Sequence, residues 1–421
     1  MRGIFNLVIE SIMFPINLAW GAWFIASVFY AYQYILRVMP NIMLTDIMQQ
    51  FHINATIFGQ FSGVYYIGYS LMHLPIGIML DRFGPRKVMT GCILLTVIGL
   101  MPIVFATNWV YPVLGRVLIG IGSSAAILGT FKIIRMSFAE KHFTRMLSFA
   151  VTIGLIGAIY GGGPVSYMCS TLGYQAVVEI FMAIGLLLAL VTYVMVPNSK
   201  PTNETTILAD IKSVFTNKKV ILICVSAGLM VGPLEGFADV WGSAFLQQVY
   251  GFESSTAHYL PSLIFIGMCF GAPVLSFVAE KTGYFLGTII GAAIAMAVVF
   301  SFLVAGVMGI NAISINFVLV GICCAYQILA IYKASTYVSD SKAGLTTAVA
   351  NMIIMSFGYG FHSLIGYMVN AYGGPTSSQA LEYAISIIPI TLALGVIGFL
   401  ALGYSDKEVR IKINSNSSEA A

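Results

Sequence analysis

The sequence predicts an all-α membrane protein with twelve transmembrane helices in two pseudo-symmetric six-helix bundles. Three observations predict it: the composition, the spacing of apolar windows, and a one-sided distribution of basic residues. Of 421 residues, 59% are hydrophobic and 9% charged, with 42 Gly and a mean hydropathy of +0.92. A soluble domain carries roughly 25% charged residues, so this chain cannot cover a water-facing surface. Cytosolic enzymes and nucleic-acid binders are excluded, despite a net charge of +4. Unbroken apolar runs also exclude an outer-membrane barrel, whose strands alternate over about 10 residues.

A crossing needs ~20 apolar residues. Windows of that kind fall at 16–40, 57–80, 88–107, 110–134, 145–168, 175–197, 220–247, 257–279, 284–307, 313–336, 344–368 and 383–404. The first apolar stretch is too long for a signal-peptide core and no convincing cleavage site follows it, so it reads as a span. The longest polar connection runs from Asn198 to Lys219 and contains Pro201, Asn203, Glu204, Thr205 and Asp210. Residues 1–197 and 220–404 are thus expected to form the two bundles. Residues 198–219 form a cytoplasmic linker between them, and 405–421 a cytoplasmic tail. The polar end of that tail, Asn414 to Ala421, is expected to be disordered.

Basic residues set the orientation. With the N-terminus and every even-to-odd loop placed in the cytoplasm, that side takes all but four of the 20 Lys and Arg. Arg37, Arg116, Lys132 and Lys333 are the exceptions and fall inside spans. The split predicts a multi-pass protein of a bacterial inner membrane with both termini cytoplasmic. The repeat is visible in two loops: Asp81-Arg82-Phe83-Gly84 after span two, and Glu280-Lys281-Thr282-Gly283 after span eight. Equivalent positions of this kind are expected of parallel repeats.

The loop after span two reads Gly77-Ile-Met-Leu-Asp81-Arg82-Phe-Gly84-Pro-Arg86-Lys87, and span four contains Arg116-x-x-x-Gly120-x-Gly122. Both stretches resemble signatures of the major facilitator superfamily, the first at every specified position and in the expected loop. That resemblance implies a secondary transporter of two rocking bundles, with a cavity lined mainly by spans 1, 4, 7 and 10. It assigns Gly77, Asp81, Arg82, Gly84, Arg86 and Lys87, with Arg116, to conformational switching rather than substrate binding. Tyr30-Ala-Tyr32-Gln33-Tyr34-Ile-Leu-Arg37 and Pro233-Leu-Glu235-Gly-Phe-Ala-Asp239-Val-Trp241-Gly look like a narrower bacterial branch. That branch contains phagosomal nutrient transporters, is related to lysosomal dipeptide transporters, and adjoins the anion:cation symporters. Where many anion symporters have a span-four carboxylate, this chain has Ser123-Ser124.

Charges inside a bilayer cost ~2.5–3.5 kcal/mol each on insertion scales, so each must face water, pair, or bind something charged. Arg37 shares a helical face with Tyr30, Gln33 and Tyr34. Its planar fork beside amide and phenol donors suits a substrate carboxylate. A structural ion pair or snorkelling are the alternatives. Glu235 and Asp239 lie one turn apart in span seven, and the repeat offset maps Arg37 beside Glu235. Two close carboxylates in a partly dry cavity resist ionising together, the property a proton-coupled symporter needs. They could equally receive a substrate ammonium or form a fixed salt bridge to Arg37 or Lys132. Lys132 and Tyr326 are further cavity candidates, Gln327 and Trp241 weaker ones, and Lys333 reads as snorkelling. His73 and His362 read as core histidines.

The glycines at 154, 157 and 161–163 read as helix-packing positions. Six cysteines without ligand spacing indicate neither disulfides nor zinc. No cofactor is expected beyond a proton gradient, and the expected partners are a small-molecule substrate and the bilayer, with a monomer as the working unit. A channel would need a continuous polar pore and an enzyme a catalytic cluster, and the spans show neither. The expected function is proton-coupled import of a small carboxylate-bearing nutrient, such as an amino acid or short peptide. A proton-driven exporter of a drug or siderophore-like metabolite is the alternative, which 28 Phe and 22 Tyr would suit.

Overall fold

The computed structural model describes residues 16–139, 142–197 and 212–419. Most of the expected linker, including Pro201, Asn203, Glu204, Thr205 and Asp210, lies outside the described residues. Within them the chain is helical, with no strand. Eleven of its helical stretches are long and apolar enough to cross a membrane. Helix α1 (Ile16–Ile42) stands apart from these eleven. Its 27 residues reach far enough, but Tyr30, Tyr32, Gln33, Tyr34 and Arg37 dilute its apolar character.

The next elements are α2 (Leu44–Gln50), α3 (Ala55–Phe83), α4 (Pro85–Phe105) and α5 (Val110–Ser137). Then come α6 (Phe143–Tyr160), α7 (Gly163–Leu172) and α8 (Tyr174–Met195). Asn54 starts α3 by accepting a hydrogen bond from the Ile57 amide at 3.0 Å. The fifth apolar window is thus two helices, broken at Gly161–Gly162 with Pro164 just beyond. Glycines explain the close fit of α6 on α1, since a Cβ at Gly157 would meet the backbone of Ala31.

Beyond residue 212 the elements are α9 (Lys218–Gly236), a π-helical turn (Phe237–Trp241) and α10 (Gly242–Tyr250). They continue with α11 (Ser254–Tyr259), α12 (Ser262–Thr282), α13 (Phe285–Val304), α14 (Ile310–Cys324) and α15 (Tyr326–Ser335). The last are α16 (Asp340–Ala371), α17 (Ser378–Ile385) and α18 (Ile387–Glu419). The tail expected to be disordered from Asn414 is instead helical through Glu419. No Gly or Pro follows Gly403, so nothing in the backbone stops α18 from propagating.

Helices α3, α4 and α5 pack together, with α1 against α5, α6 and α8. In the second part α9 packs on α16 and α18, α12 on α14, and α13 on α18. The two parts meet where α3 crosses α16, where α1 meets the π-turn, and where α6 and α7 meet α12 and α11. The α3–α16 crossing is made by glycines. A Cβ at Gly59 would strike the His362 carbonyl oxygen, and one at Gly366 would lie 2.6 Å from the Ala55 oxygen.

These contacts separate structural glycines from unforced ones. Gly59→Ala should destabilise the protein by about 1–3 kcal/mol, the usual cost of overpacking, and lower its melting temperature in detergent. Gly77→Ala should leave that temperature unchanged, because nothing lies within 4 Å of a Cβ placed there. Equal melting temperatures for the two variants would refute the crossing as described. Gly84 differs from Gly77: it ends α3 and begins α4 at φ +81°, a conformation that favours glycine. Its counterpart in the second charged loop, Gly283, ends α12 at φ +69°.

Candidate functional site

The site begins with a backbone defect in α1. Pro40 has no N–H to give the carbonyl of Leu36, which a regular helix would pair with residue 40. Arg116, reaching across from α5 and only 2% exposed, fills the gap. Its Nη1 donates to the Leu36 oxygen at 2.5 Å and its Nη2 to the Arg37 oxygen at 2.8 Å. The Arg116 guanidinium also lies over the ring of Tyr65 at 5.0 Å. A residue assigned by resemblance to switching therefore braces the turn that carries Arg37.

Arg37 turns toward the other half of the chain. Its Nε donates to Asp239 Oδ2 at 2.7 Å, and its Nη2 pairs with Glu235 Oε2. Tyr66 of α3 hydrogen-bonds the same two carboxylates through its hydroxyl. The guanidinium lies 5.2 Å from the ring centres of both Tyr34 and Tyr66, within cation–π range. Asp239 is 1% exposed and Arg37 8%. With Arg116 included, two arginines stand against two carboxylates, so the buried cluster balances its formal charge. An unpaired charge at this depth would be severely destabilising.

Glu235 and Asp239 stand four residues apart, so one helical face carries both toward the arginine, and the backbone at Asp239 is irregular. Residues Phe237–Trp241 wind as a π-turn, and the Gly242 amide donates to the Phe237 oxygen five residues back. Such turns carry one surplus residue and recur at functional sites. Gly236 and Gly242 flank it, and Pro233 precedes it without a backbone donor. Asp239 Oδ1 has no hydrogen-bond partner among the described residues, so one buried acceptor atom stays open.

The remaining predicted residues divide. Gln33 joins the cluster's margin, its Oε1 accepting from Tyr65 at 2.6 Å. Tyr30 packs on Tyr34, with ring centres 5.2 Å apart, and fills the space over Gly154. Tyr326 is not brought to Arg37; its hydroxyl donates to the Ala227 oxygen at 2.9 Å and ties α15 to α9. Lys132 also lies elsewhere, pairing with Asp81 at 2.7 Å. Gln327 contacts Asn351 at 3.3 Å, and Lys333 pairs with Asp406 at 3.3 Å. Arg86 donates to the Val196 oxygen at 2.6 Å, while Arg82 and Lys87 are exposed.

Sequence reasoning missed Tyr66 and the landing place of Arg116. Tyr65, Tyr66 and Tyr69 form a run in span two, the one signal that could have pointed there. His362 packs on Tyr66 with ring centres 5.2 Å apart, its Nδ1 2.7 Å from the Gly358 oxygen. It fits a satisfied core histidine, whereas His73 Nδ1 has no partner among the described residues. Among those residues no group of His, Cys, Asp and Glu could hold a metal, and the six cysteines are free.

The Lys132–Asp81 pair links α5 to the last turn of α3, and a pair this exposed is worth only ~0–1 kcal/mol of stability. If the pair acts as a switch contact, Asp81→Lys and Lys132→Asp should each slow transport. The double reversal should then recover much of the loss. Recovery would not be expected of a lysine that binds substrate, so a double variant as slow as the singles would return Lys132 to that role.

Residues 22–361 match the Major Facilitator Superfamily. The chain belongs to this superfamily. It is a multi-pass membrane transporter and not an enzyme. An uncharacterized transporter of Bacillus subtilis (strain 168), YybO, is 23% identical, with 90% of this chain and 91% of YybO covered. Among solved structures, a bacterial homologue of the human lysosomal transporter Spinster, inward-facing and occupied, aligns with a TM-score of 0.71. That alignment has 17% identity and covers 91% of this chain and 96% of the homologue. The nucleoside transporter NupG aligns with a TM-score of 0.72 at 15% identity, covering 92% of this chain and 99% of NupG. At these identities the likeness to both solved facilitators is one of fold.

Proposed function

We propose that this facilitator is a proton-coupled symporter that imports a small carboxylate-bearing nutrient, an amino acid or short peptide, by alternating access. In this reading twelve spans, α1 included, form two bundles, 1–197 and 220–404, joined by a cytoplasmic linker at 198–219. The tail at 405–421 and the N-terminus lie on the cytoplasmic face of a bacterial inner membrane, and the monomer is the working unit.

One observation carries the proposal: Arg37 is shared by Glu235 and Asp239, which come from the other half of the chain. A substrate carboxylate can take the place of either acid on the guanidinium fork. The displaced acid is then a buried charge without a partner, and a proton or the substrate's ammonium restores the balance. The open Oδ1 of Asp239 is an atom on which that proton can sit. Gln33, Tyr34 and Tyr30 flank the arginine and would contact the rest of the solute.

Uptake of labelled amino acids, short peptides and organic acids, measured in expressing cells with and without a proton uncoupler, tests this directly. Concentrative uptake abolished by the uncoupler is the expected result, and it names the substrate class. Depletion of an internal metabolite without uptake would overturn it in favour of the exporter, for which the five tyrosines at 30, 34, 65, 66 and 69 would supply an aromatic lining.

A further inference from the structure

A second polar space lies at the end of the molecule where α1 stops and α3 begins. It is a cavity of about 430 Å³, within the ~300–1,000 Å³ usual for small-molecule sites. Both halves line it: Asn41, Asp46 and Gln49 from one, Gln247, Gln248 and His258 from the other. The charge cluster sits just below. Asn41 is one turn beyond Arg37 on α1, and Ala244, also in the lining, follows the π-turn that holds Asp239.

Two observations point to a ligand. Asn41 is only 7% exposed, yet its Oδ1 has no hydrogen-bond partner among the described residues. A buried carboxamide oxygen left unpaired forfeits a hydrogen bond that a bound donor would restore. Asp46 is the one acidic or basic residue in the lining apart from His258, and it has no ion pair among the described residues. Asp46 is exposed, so solvent reaches it; partial desolvation still raises its carboxyl from the ordinary value, and a cation would offset that penalty. His258 Nδ1 is taken up by Ser166 and Ser254, each at 3.2 Å. Among the described residues no Lys or Arg lines the space, so an anion finds no counter-charge from them.

We propose that this cavity is an outer receiving site for a small polar solute bearing an ammonium group, which Asp46 holds while Asn41, Gln247 and Gln248 meet its amide or carboxyl atoms. Each carboxamide both donates and accepts, so peptide-like groups can be matched in either orientation. Ile42, Leu44 and Met48 give a short hydrocarbon portion an apolar wall. The site faces outward in the orientation proposed above; the binding itself does not depend on Arg37.

The test uses Thr376→Cys, at an exposed position of the lining, in full-length protein whose native cysteines have been replaced. In intact cells, a membrane-impermeant trimethylammonium thiosulfonate should label this cysteine several-fold faster than its sulfonate counterpart, and Asp46→Asn should remove the difference. Millimolar L-alanyl-L-alanine should slow labelling several-fold, and N-acetyl-L-alanyl-L-alanine should not. That protection should persist in Arg37→Lys, which keeps the buried charge paired. It should also persist if uptake assays fail, which separates this site from the transport reading. Equal labelling rates with Asp46 present, equal protection by both peptides, or protection by neither would overturn the proposal. So would protection lost in Arg37→Lys, which assigns the effect to the central cluster, or labelling seen only after permeabilisation, which puts the cavity on the inner face.

Discussion

Cells expressing Arg37→Gln should take up substrate no faster than cells lacking the transporter. The substitution removes the one cation among the described residues that both Glu235 and Asp239 contact directly and the fork that would grip a substrate carboxylate. It also leaves buried carboxylates unpaired, at a typical cost of about 3–5 kcal/mol, so the melting temperature in detergent should fall as well. Arg37→Lys separates the two effects. It keeps the charge and most of the stability, but loses the planar pair of donors. One lost charge-assisted hydrogen bond is worth ~1.5–3 kcal/mol, so uptake by Arg37→Lys should drop roughly tenfold to a hundredfold at normal membrane abundance. Wild-type rates in Arg37→Gln would remove the arginine from the mechanism altogether.

The second large effect is expected at Asp239. Asparagine has nearly the same shape and can still accept from Arg37 Nε, but it cannot gain or lose a proton. In proteoliposomes, Asp239→Asn should therefore lose accumulation driven by a pH gradient while keeping substrate exchange across the membrane. Glu235→Gln provides the comparison, because the Glu235 side chain is the more exposed of the two, at 10% against 1%. If only one variant loses coupling, that residue is the proton carrier. Coupled accumulation at the wild-type level in both would end the proton assignment to this pair.

The membrane-crossing segments were legible in the sequence because apolar length is a coarse signal that side-chain detail barely disturbs. Arg37, Glu235 and Asp239 were legible as well, since a charge in an apolar run is expensive enough to draw notice alone. The repeat offset gave them equivalent places in the two halves, and their mutual contact stood only as the alternative of a fixed salt bridge to Arg37 or Lys132. Tyr66 was not legible, because a tyrosine in a membrane helix more often packs than binds, and nothing in its spacing distinguishes it from Tyr65 or Tyr69. The partners of Lys132 were ambiguous for a different reason: several acids lay within reach of the imagined cavity, and only packing selects Asp81. The resemblance gave Arg116 a role in switching, but its hydrogen bonds follow from Pro40, which frees the Leu36 carbonyl eighty positions before Arg116 in the chain. The breaks in α6–α7 and α9–α10 were also hidden. Hydropathy reports how apolar a stretch is, not how its backbone is wound.

The widened turn at Phe237–Trp241 has a mechanical consequence. A helix that holds one residue more than its regular winding carries slack, and slack can be passed along the coil by exchanging one hydrogen bond at a time. Tightening the turn would rotate everything beyond it, swinging Asp239 against a stationary Glu235, without unfolding a membrane-spanning segment. Gly236 and Gly242, one on each side, oppose such creep with no side chain of their own. The two acids are therefore mounted on a joint, and the distance between them is a variable that the backbone can adjust.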